Sequence, residues 1–315
     1  MDTSDFPRNL IEFEERFGTE AACLAYVRGK KWPEGFRCSK CGGRASWPVR
    51  GGRQEECQGC GHQESVTAGT MFHLTHKSLR LWFRAIMLWV VSKRAMSAKE
   101  LSRQLGIHYE TAWTWCHKLR ACVGTAFGQE ALHGVVELDE SYIGGTDDRA
   151  HKGRSLAGCK ALIGGAVEVL ASGKMGRIRL EHLAAADAKS LESFAVRNIE
   201  QHAVARTDGL ASYNNLPMVG IGHQRNVIGP DSAKAVEVLP NIHKVFSLFK
   251  RVLLGTFQGS VSHKHLWAYL DEFVFRFNRR NSDNRWLLFE RIVTAAPRSR
   301  PPTMTQIIHR AEAPT

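Results

Sequence analysis

Four of the eight cysteines in the sequence have the spacing of metal ligands. They form two Cys-x2-Cys pairs separated by fifteen residues, and they are Cys38, Cys41, Cys57 and Cys60. Each pair can present two thiolates to one tetrahedral ion, and the glycines beside the pairs give the turns the backbone freedom that they need. Two disulfides are the alternative, which a reducing compartment disfavours. Because four thiolates leave no open coordination position, the spacing predicts a structural Zn²⁺ ion rather than a catalytic one.

Two aspartates could bind a different kind of metal. Asp139 lies in "VVELDESYIGG", behind an apolar run typical of a strand, and Asp208 closes the strand-like segment "HAVARTDG" 69 residues later. Carboxylates that meet repel each other unless cations lie between them, which is the arrangement that two-metal phosphoryl transfer requires. Oxygen ligands favour Mg²⁺ or Mn²⁺. Either aspartate alone would be an ordinary surface residue, and the neighbouring Glu140 is expected to point to the other side of the strand.

The order of elements around the two aspartates predicts that they meet. Strand-like runs at "VVELD", "KALIGGAVEV" and "GRIRLEHL" are followed by a helix-like stretch near 187–200 and by a fourth strand at "HAVARTDG". Three strands, a helix and a fourth strand is the opening order of a ribonuclease H-like fold. Since the first and fourth strands are neighbours in that fold, Asp139 and Asp208 are expected at one place.

The segment between the cysteines and these strands has a helical pattern. Ser78 precedes an apolar stripe at helical spacing and is expected to be an N-cap. The following segment, "SAKELSRQLGIHYETAWTWCHKLR", matches a helix-turn-helix with its turn at 105–107. An ordinary helical hairpin is the alternative. The side chains of the second helix that are expected to point outward and contact DNA are Tyr109, Trp113, Thr114, His117 and Lys118.

The charge pattern favours a polyanionic partner. The net charge is +12, and the basic excess lies in the first 130 residues and after residue 240. General RNA-binding proteins share this pattern. The longest apolar stretch, "LWFRAIMLWVV", is too short to span a membrane and carries Arg84, and the N-terminus lacks the apolar segment of a signal peptide. We therefore expect a cytoplasmic protein that is associated with the nucleoid.

Several motifs together resemble a known family. The zinc ribbon, the helix-turn-helix, "ELDESYIGG", "TDGLASYNNL", "HKVFSLFKR" and "YLDEFVFRFNRR", in this order, resemble bacterial insertion-sequence transposases of the DDE superfamily, in the branch with an N-terminal zinc ribbon. The resemblance implies an enzyme that cuts DNA at the ends of a mobile element and joins the freed 3′ hydroxyls to a target by metal-assisted displacement. Its implied partners are double-stranded DNA, as terminal inverted repeats and as target, and further copies of the chain in a homodimer or higher oligomer.

The third active-site residue departs from the glutamate that is usual in this superfamily. In "LPNIHKVFSLFKR" the expected position falls on His243, with Lys250 seven residues further on. Pro240 lies near the helix start, and His243, Ser247 and Lys250 share the polar face. We expect His243 to coordinate the second metal or to move a proton to the departing oxygen, and Lys250 to hold a nearby phosphate. A solvated or capping histidine is the alternative.

The last motif contains a rival for that position. Glu272, Arg276 and Arg279 are four and then three residues apart, so they share one helical face. An ion pair that stabilises the helix is the plain interpretation of Glu272 and Arg276. In the family, a glutamate and two arginines at this spacing form a signature, which implies that the arginines orient the active site or DNA phosphates. Glu272 is also the rival candidate for the third metal ligand.

These segments together predict a mixed α/β protein with three parts. Residues 1–75 form an N-terminal region with the zinc ribbon at about 33–65, and residues 76–128 form a helix-turn-helix domain. Residues 129–315 form a ribonuclease H-like catalytic domain with basic C-terminal helices. Two other functions stay open, namely a catalytically silent DNA-binding regulator derived from a transposase and a structure-specific nuclease. The intact aspartates argue against the first.

Overall fold

The computed structural model describes residues 7, 9–128, 130–143, 160–227, 237–259, 261–282, 284–297, 299 and 302–309. In chain order, the helices and strands are α1 (Leu10–Phe17), α2 (Glu20–Lys31), β1 (Ser46–Val49), β2 (Gln54–Cys57), β3 (Gln63–Ser65), α3 (Leu79–Val91), α4 (Ala98–Leu105), α5 (Tyr109–Phe127), β4 (Val135–Ile143), β5 (Ala161–Val169), β6 (Met175–Leu183), α6 (Ala188–Asn198), β7 (Val204–Thr207), β8 (Gly222–Arg225), α7 (Pro240–Phe257), α8 (Leu266–Asn278), α9 (Arg285–Ala295) and α10 (Met304–His309).

The chain divides into two compact units. The first consists of residues 1–126 and 282–308, and the second consists of residues 127–281 and 309–315. Residues 282–308 thus pack with the N-terminal helices, whereas the sequence analysis placed them with the catalytic domain. The reason is an aromatic cluster in which Phe289 of α9 contacts Phe13, Phe17 and Phe83 at ring-centroid distances of 5.3 to 5.5 Å.

Side-chain caps fix where the helices of the first unit begin. Ser78 Oγ accepts the backbone N–H of Leu81 at 3.2 Å, as predicted for an N-cap, and Ser97 caps α4 in the same way. Helix α4 ends at Gly106, whose φ of 62° is left-handed, and α5 begins three residues later. Strands β1, β2 and β3 form a separate antiparallel sheet that carries the cysteines.

The second unit is built on a five-stranded sheet with the order β6-β5-β4-β7-β8. Strands β4, β5 and β6 pair antiparallel, whereas β7 is parallel to both β4 and β8. This order and these directions are those of the ribonuclease H-like fold, so the predicted mixed α/β fold class is confirmed. The predicted strand order also holds, because the first and fourth strands of the unit, β4 and β7, are neighbours.

Helices cover both faces of this sheet. On one face, Leu191 and Phe194 of α6 pack against Val136 and Leu138 of β4. On the other face, α7 lies directly on β5 at Gly165, where an added Cβ would come within 2.6 Å of the Phe246 ring. Among the described residues, no helix is both long and apolar enough to cross a membrane.

Candidate active site and cysteine cluster

The four predicted cysteines form one cluster at the base of the small sheet. Their sulfur atoms all lie within 4.8 Å of one another, with 3.7 Å between Cys38 and Cys60 and 3.5 Å between Cys41 and Cys57. A tetrahedral site with Zn–S bonds of about 2.3 Å places its sulfurs roughly 3.8 Å apart. The cluster therefore fits a closed four-thiolate metal site.

Two backbone turns hold the thiolates in place. In the first, the N–H of Gly42 donates to the carbonyl of Cys38, and in the second the N–H of Gly61 donates to Cys57, both at 2.9 Å. Both glycines have positive φ. Gly43 has a different role, since an added Cβ there would lie 3.1 Å from the sulfur of Cys57. Three of the glycines beside the cysteines, Gly42, Gly43 and Gly61, thus have a geometric reason.

The metal-binding ribbon is tied to helix α2 through a buried carboxylate. Glu55 of β2 is fully buried and accepts hydrogen bonds from Arg28 Nε and Ser46 Oγ, both at 2.7 Å. An unpaired carboxylate at this depth would be strongly unfavourable, so the ion pair with Arg28 requires the ribbon and the helix to stay together.

The second candidate site lies where β4 and β7 run side by side. The parallel register pairs Val135 with Val204 and Glu137 with Arg206, and Asp208 is close enough to Asp139 for its charge to raise the Asp139 pKa. Asp208 follows directly after β7, and its Oδ1 accepts the N–H of Leu210 at 2.9 Å. The predicted order of strands thus brings the segments that carry the two aspartates together, and their role as metal ligands stays a prediction.

Asp139 is held in an environment that disfavours its charge. Burial, together with the nearby carboxylates of Glu140, Asp208 and Glu137, raises the pKa of Asp139 from 3.8 to about 8. A cation in this position would offset both effects. Asp208 is half-buried and therefore more accessible to solvent than Asp139.

Helix α7 brings His243 and Lys250 to the same strand. The Nε2 atom of His243 lies 3.8 Å from Asp139 Oδ2, with about a third of the imidazole exposed. Lys250 Nζ donates to Ser141 Oγ at 3.0 Å. Because alternate residues of a strand share one face, Asp139 and Ser141 meet the polar face of α7 together. The structure thus places His243 at Asp139 and Lys250 at Ser141, on the face of β4 that α7 covers, and their catalytic roles stay a prediction.

The candidate ligand atoms of this site do not lie as close together as those of the cysteine cluster. Within the described ranges, the cysteines are the one set of three or more Cys, His, Asp or Glu ligand atoms that lies within 4.8 Å. Two-metal sites hold their ions about 3.5 to 4 Å apart, so their ligand atoms spread over a longer distance than those of a single ion. The aspartates and His243 therefore do not form a compact single-ion site of the kind that the cysteines form.

Glu140 points to the opposite face of β4, as predicted. Its Oε2 accepts a hydrogen bond of 2.6 Å from the hydroxyl of Tyr213, which lies in a 3-10 turn just after Asp208. Tyr213 is 1% exposed, and burial raises the pKa of Tyr213, so the hydroxyl keeps its proton. This bond ties the segment that carries Asp208 to the strand that carries Asp139.

Comparison with known proteins identifies the family. Residues 131–278 match the ISXO2-like transposase domain, and residues 18–63 match the transposase zinc-ribbon domain. Together the two matches span more than half of the chain. The chain belongs to the zinc-ribbon branch of the DDE insertion-sequence transposases. All four cysteines lie in the second match, and Asp139, Asp208 and His243 lie in the first.

More distant relatives of this transposase are also found. An "Uncharacterized protein in transposable element ISH50" of Halobacterium salinarum is 26% identical over 128 residues, which are 39% of this chain. The match spans 40% of that relative's length.

Two solved structures are similar at 13% identity. "Mos1 transposase paired-end complex with left transposon end" has a TM-score of 0.29 over 73% of this chain and 79% of that one. "Crystal structure of a pre-cleavage Mos1 transpososome" has a TM-score of 0.27 over 68% and 78%. At these scores the fold assignment rests on the strand order of the sheet.

Glu272, Arg276 and Arg279 of the transposase lie on α8, which packs against β6 at the edge of the sheet. Glu272 is 1% exposed and accepts a hydrogen bond of 2.8 Å from Arg276 Nε. The guanidinium of Arg279 lies over the rings of Phe127 and Phe275, at 4.7 and 4.5 Å from their centroids. Two strands separate β6 from β7, so this group lies away from Asp208 in the order of the sheet.

The candidate DNA-contacting side chains of α5 are only partly exposed. Tyr109 is 52% exposed, and Trp113 and Thr114 are half-buried. The prediction that His117 and Lys118 point outward is wrong, since they are 0% and 8% exposed. Residues 115–120 are all buried because the segment before α3 covers a second face of the helix, where Lys118 Nζ donates to the carbonyl of His73 at 2.8 Å. The apolar stripe alone did not reveal this second contact.

Sequence analysis missed three residues that shape the second unit. Glu137 binds the start of α7, Gly165 lets that helix approach the sheet, and Tyr213 binds Glu140. Glu137 shares a strand face with Asp139, two residues away, so the two-residue period of a strand could have identified it as a neighbour of the site. The roles of Gly165 and Tyr213 depend on contacts between segments far apart in sequence.

Proposed function

We propose that this transposase cuts DNA at the ends of an insertion sequence and joins the freed 3′ hydroxyls to target DNA by two-metal-ion phosphoryl transfer. The observation that carries the proposal is the parallel pairing of β4 with β7, which supports a position of Asp208 near Asp139, with His243 Nε2 3.8 Å from Asp139 Oδ2. Side chains from three segments, β4, the end of β7 and α7, are the proposed ligands.

The chemistry of the ligand set supports divalent cations. Two carboxylates and an imidazole suit Mn²⁺ well and Mg²⁺ through the carboxylates. Cations bound there would activate the attacking oxygen and stabilise the leaving one. Asp139, with a pKa of about 8, holds a proton in the absence of a cation and releases it when one binds. His243 either completes the ligand set or carries a proton at the departing oxygen. Lys250 binds Ser141, two residues along β4 from Asp139, and its positive charge could hold a DNA phosphate beside the site.

DNA recognition is proposed for α4 and α5, which are joined by a three-residue turn in the manner of a helix-turn-helix. Lys99 and Arg103 of α4, His108 of the turn and Tyr109 of α5 are exposed, so both helices offer cationic or aromatic groups to a ligand. Trp113 and Thr114 follow along this helix. Such groups can contact both phosphates and base edges. We further propose that two copies of the chain assemble on the two DNA ends.

Zn²⁺ is the proposed ion of the cysteine cluster, where it stabilises a ribbon too small to bury a core of its own. Its closed four-thiolate shell supplies no position for substrate. The ribbon is therefore proposed to present or support a surface that binds DNA rather than to take part in strand cleavage.

A cleavage and joining assay tests the function directly. The purified protein would be incubated with a duplex that carries a terminal inverted repeat, with supercoiled target plasmid and with Mg²⁺ or Mn²⁺. Nicking at the repeat end followed by covalent joining to the plasmid is the expected result. Cleavage without joining would indicate a structure-specific nuclease, and specific binding without cleavage would indicate a silent regulator.

A further inference from the structure

Glu137 is a buried carboxylate two residues before Asp139. It is 2% exposed, and its two oxygens bind the first turn of α7. The Oε2 atom accepts the backbone N–H groups of Asn241 at 2.8 Å and Ile242 at 2.9 Å, and Oε1 accepts the side-chain amide of Asn241 at 2.7 Å. Both oxygens of this carboxylate are therefore engaged by a segment about a hundred residues away in sequence.

Helix α7 has no capping side chain of its own. Its N-cap residue, Leu239, makes no side-chain hydrogen bond, and Pro240 at the first helical position has no N–H to donate. The next two N–H groups belong to Asn241 and Ile242, and these are the groups that Glu137 accepts. The negative charge is also favoured at this helix terminus, where the N–H dipoles point outward.

This contact sets the position of His243. Glu137, Asp139 and Ser141 alternate along β4 and share one face, and each meets α7 in turn, at Asn241, His243 and Lys250 respectively. Since His243 is one residue beyond Ile242, a shift of the helix start along the strand would move the imidazole relative to Asp139.

The apolar packing between α7 and the sheet does not by itself fix where the helix lies along β4. Gly165, which pairs with Asp139 on β5, brings the helix close to the sheet because it has no Cβ. The apolar contacts of Ile242 and Phe246 at this glycine are non-directional. The three hydrogen bonds of Glu137 are directional, and they can select one register of the helix on the strand.

We infer that Glu137 is a positioning residue that holds His243 beside Asp139. The inference rests on the proposed function, because it assigns a purpose to the position of His243. Carboxylates that orient metal ligands in this indirect way typically change metal affinity or activity by about 10- to 100-fold when they are removed. A purely structural role would instead lower the stability of α7 without a specific effect at His243.

The test uses the full-length protein and Mn²⁺ alone, without DNA. Apparent Mn²⁺ affinity is measured from the EPR signal of the free ion. Broadening of the His243 imidazole resonance by Mn²⁺, assigned with His243→Gln, reports whether the ring lies at the ion. Glu137→Ala is expected to weaken Mn²⁺ binding by about tenfold or more and to abolish the broadening. Glu137→Gln, which can still accept both backbone N–H groups, is expected to keep most of both signals.

Glu168→Ala is the matched control. Glu168 is another buried glutamate of the same sheet, but it accepts the backbone N–H of His133 and of Arg177. It is expected to lower stability and leave the His243 broadening unchanged. Equal loss of broadening in Glu168→Ala and Glu137→Ala, or unchanged broadening in folded Glu137→Ala, would overturn the inference.

A second variant covers the case in which Glu137→Ala does not fold. Asn241→Ala, at a half-buried position, removes only the 2.7 Å bond to Oε1 and should weaken the broadening in the same direction. Parent-like broadening there would then overturn the inference. Failure of the proposed function looks different, because Asp139→Asn would then bind Mn²⁺ as tightly as the parent.

Discussion

The imidazole of His243 lies 3.8 Å from the carboxylate of Asp139, across the contact between α7 and the central strand of the five-stranded sheet. We propose that this histidine takes the place of the glutamate that is usual in the DDE superfamily. An imidazole at that point changes the metal preference of the site, since nitrogen ligands suit Mn²⁺ better than Mg²⁺.

Replacing His243 should therefore change activity differently in Mg²⁺ and in Mn²⁺. His243→Ala is expected to lower strand cleavage by roughly 100-fold, the scale of a lost ligand or general acid, whereas His243→Glu keeps part of the activity and shifts preference toward Mg²⁺. Single-turnover cleavage of a terminal-repeat duplex, measured in each metal, checks this. For the parent, Mn²⁺ should support cleavage at least as well as Mg²⁺.

Glu272 supplies the control for that experiment. Because its oxygen is bonded to Arg276 on the helix that packs against β6, Glu272→Gln should mainly lower thermal stability. Full cleavage by His243→Ala together with none by folded Glu272→Gln would assign the third ligand to Glu272 instead.

The raised pKa of Asp139 predicts how stability depends on pH. The pKa rises from 3.8 in an ordinary aspartate to about 8 in the fold, so the folded state binds the extra proton between these values. The free energy of unfolding of the metal-free protein should therefore fall as pH rises from about 4 to about 8. Asp139→Asn should remove this fall and be more stable than the parent at pH 8, by on the order of a few kcal/mol.

Thermal unfolding at pH 5 and pH 8 measures this difference. Adding Mn²⁺ at pH 8 should raise the melting temperature of the parent and leave that of Asp139→Asn nearly unchanged. If the difference in metal-free stability between the parent and Asp139→Asn were the same at pH 5 and pH 8, Asp139 would not have the raised pKa that its burial implies.

The ribbon prediction concerns metal content. Cys38→Ser or Cys57→Ser should release zinc and unfold residues 33–65, because the cluster is the core of the small sheet. The five-stranded sheet should be unaffected. Atomic absorption and hydrogen exchange measure the two effects, and Cys23→Ser, a buried cysteine outside the cluster, is the control that should keep its zinc. Equal zinc in Cys57→Ser and parent would contradict the prediction.

Burial changes which residues of α5 should affect DNA binding. Tyr109→Ala is expected to weaken binding to the terminal repeat by about 1 to 3 kcal/mol and leave the salt-dependent background intact. Lys118→Met should lower thermal stability instead, because Lys118 binds the carbonyl of His73. Fluorescence anisotropy with specific and random duplexes distinguishes the two, and a selective loss of specific binding in Lys118→Met would favour the original assignment.

The parts of the site that could be predicted are those that depend on residue patterns within a single segment. The cysteine pairs, the strand that carries Asp139 and the polar face of α7 each follow from spacing within one segment. The pairing of Asp139 with Asp208 followed from the order of the elements. By contrast, the burial of His117 and Lys118 depends on a second segment packing over α5, and no period in the α5 sequence encodes that segment.

The same reason explains why Glu137 and Tyr213 were missed. Each binds a partner in a distant segment, and the sequence shows an acidic or aromatic residue without its partner. The placement of α9 with the N-terminal helices is a similar case, since Phe289 could have packed on either unit and the aromatic cluster of Phe13, Phe17 and Phe83 decides.

The central claim is that Asp139 and Asp208 hold divalent cations for strand cleavage, and cleavage by their asparagine variants tests it most directly. Asp139→Asn and Asp208→Asn should each bind the terminal repeat as the parent does and cut no detectable DNA in Mg²⁺ or Mn²⁺. Glu140→Gln, on the other face of β4, should retain cleavage. Strand cleavage by either aspartate variant at a rate near that of the parent would contradict the two-metal account.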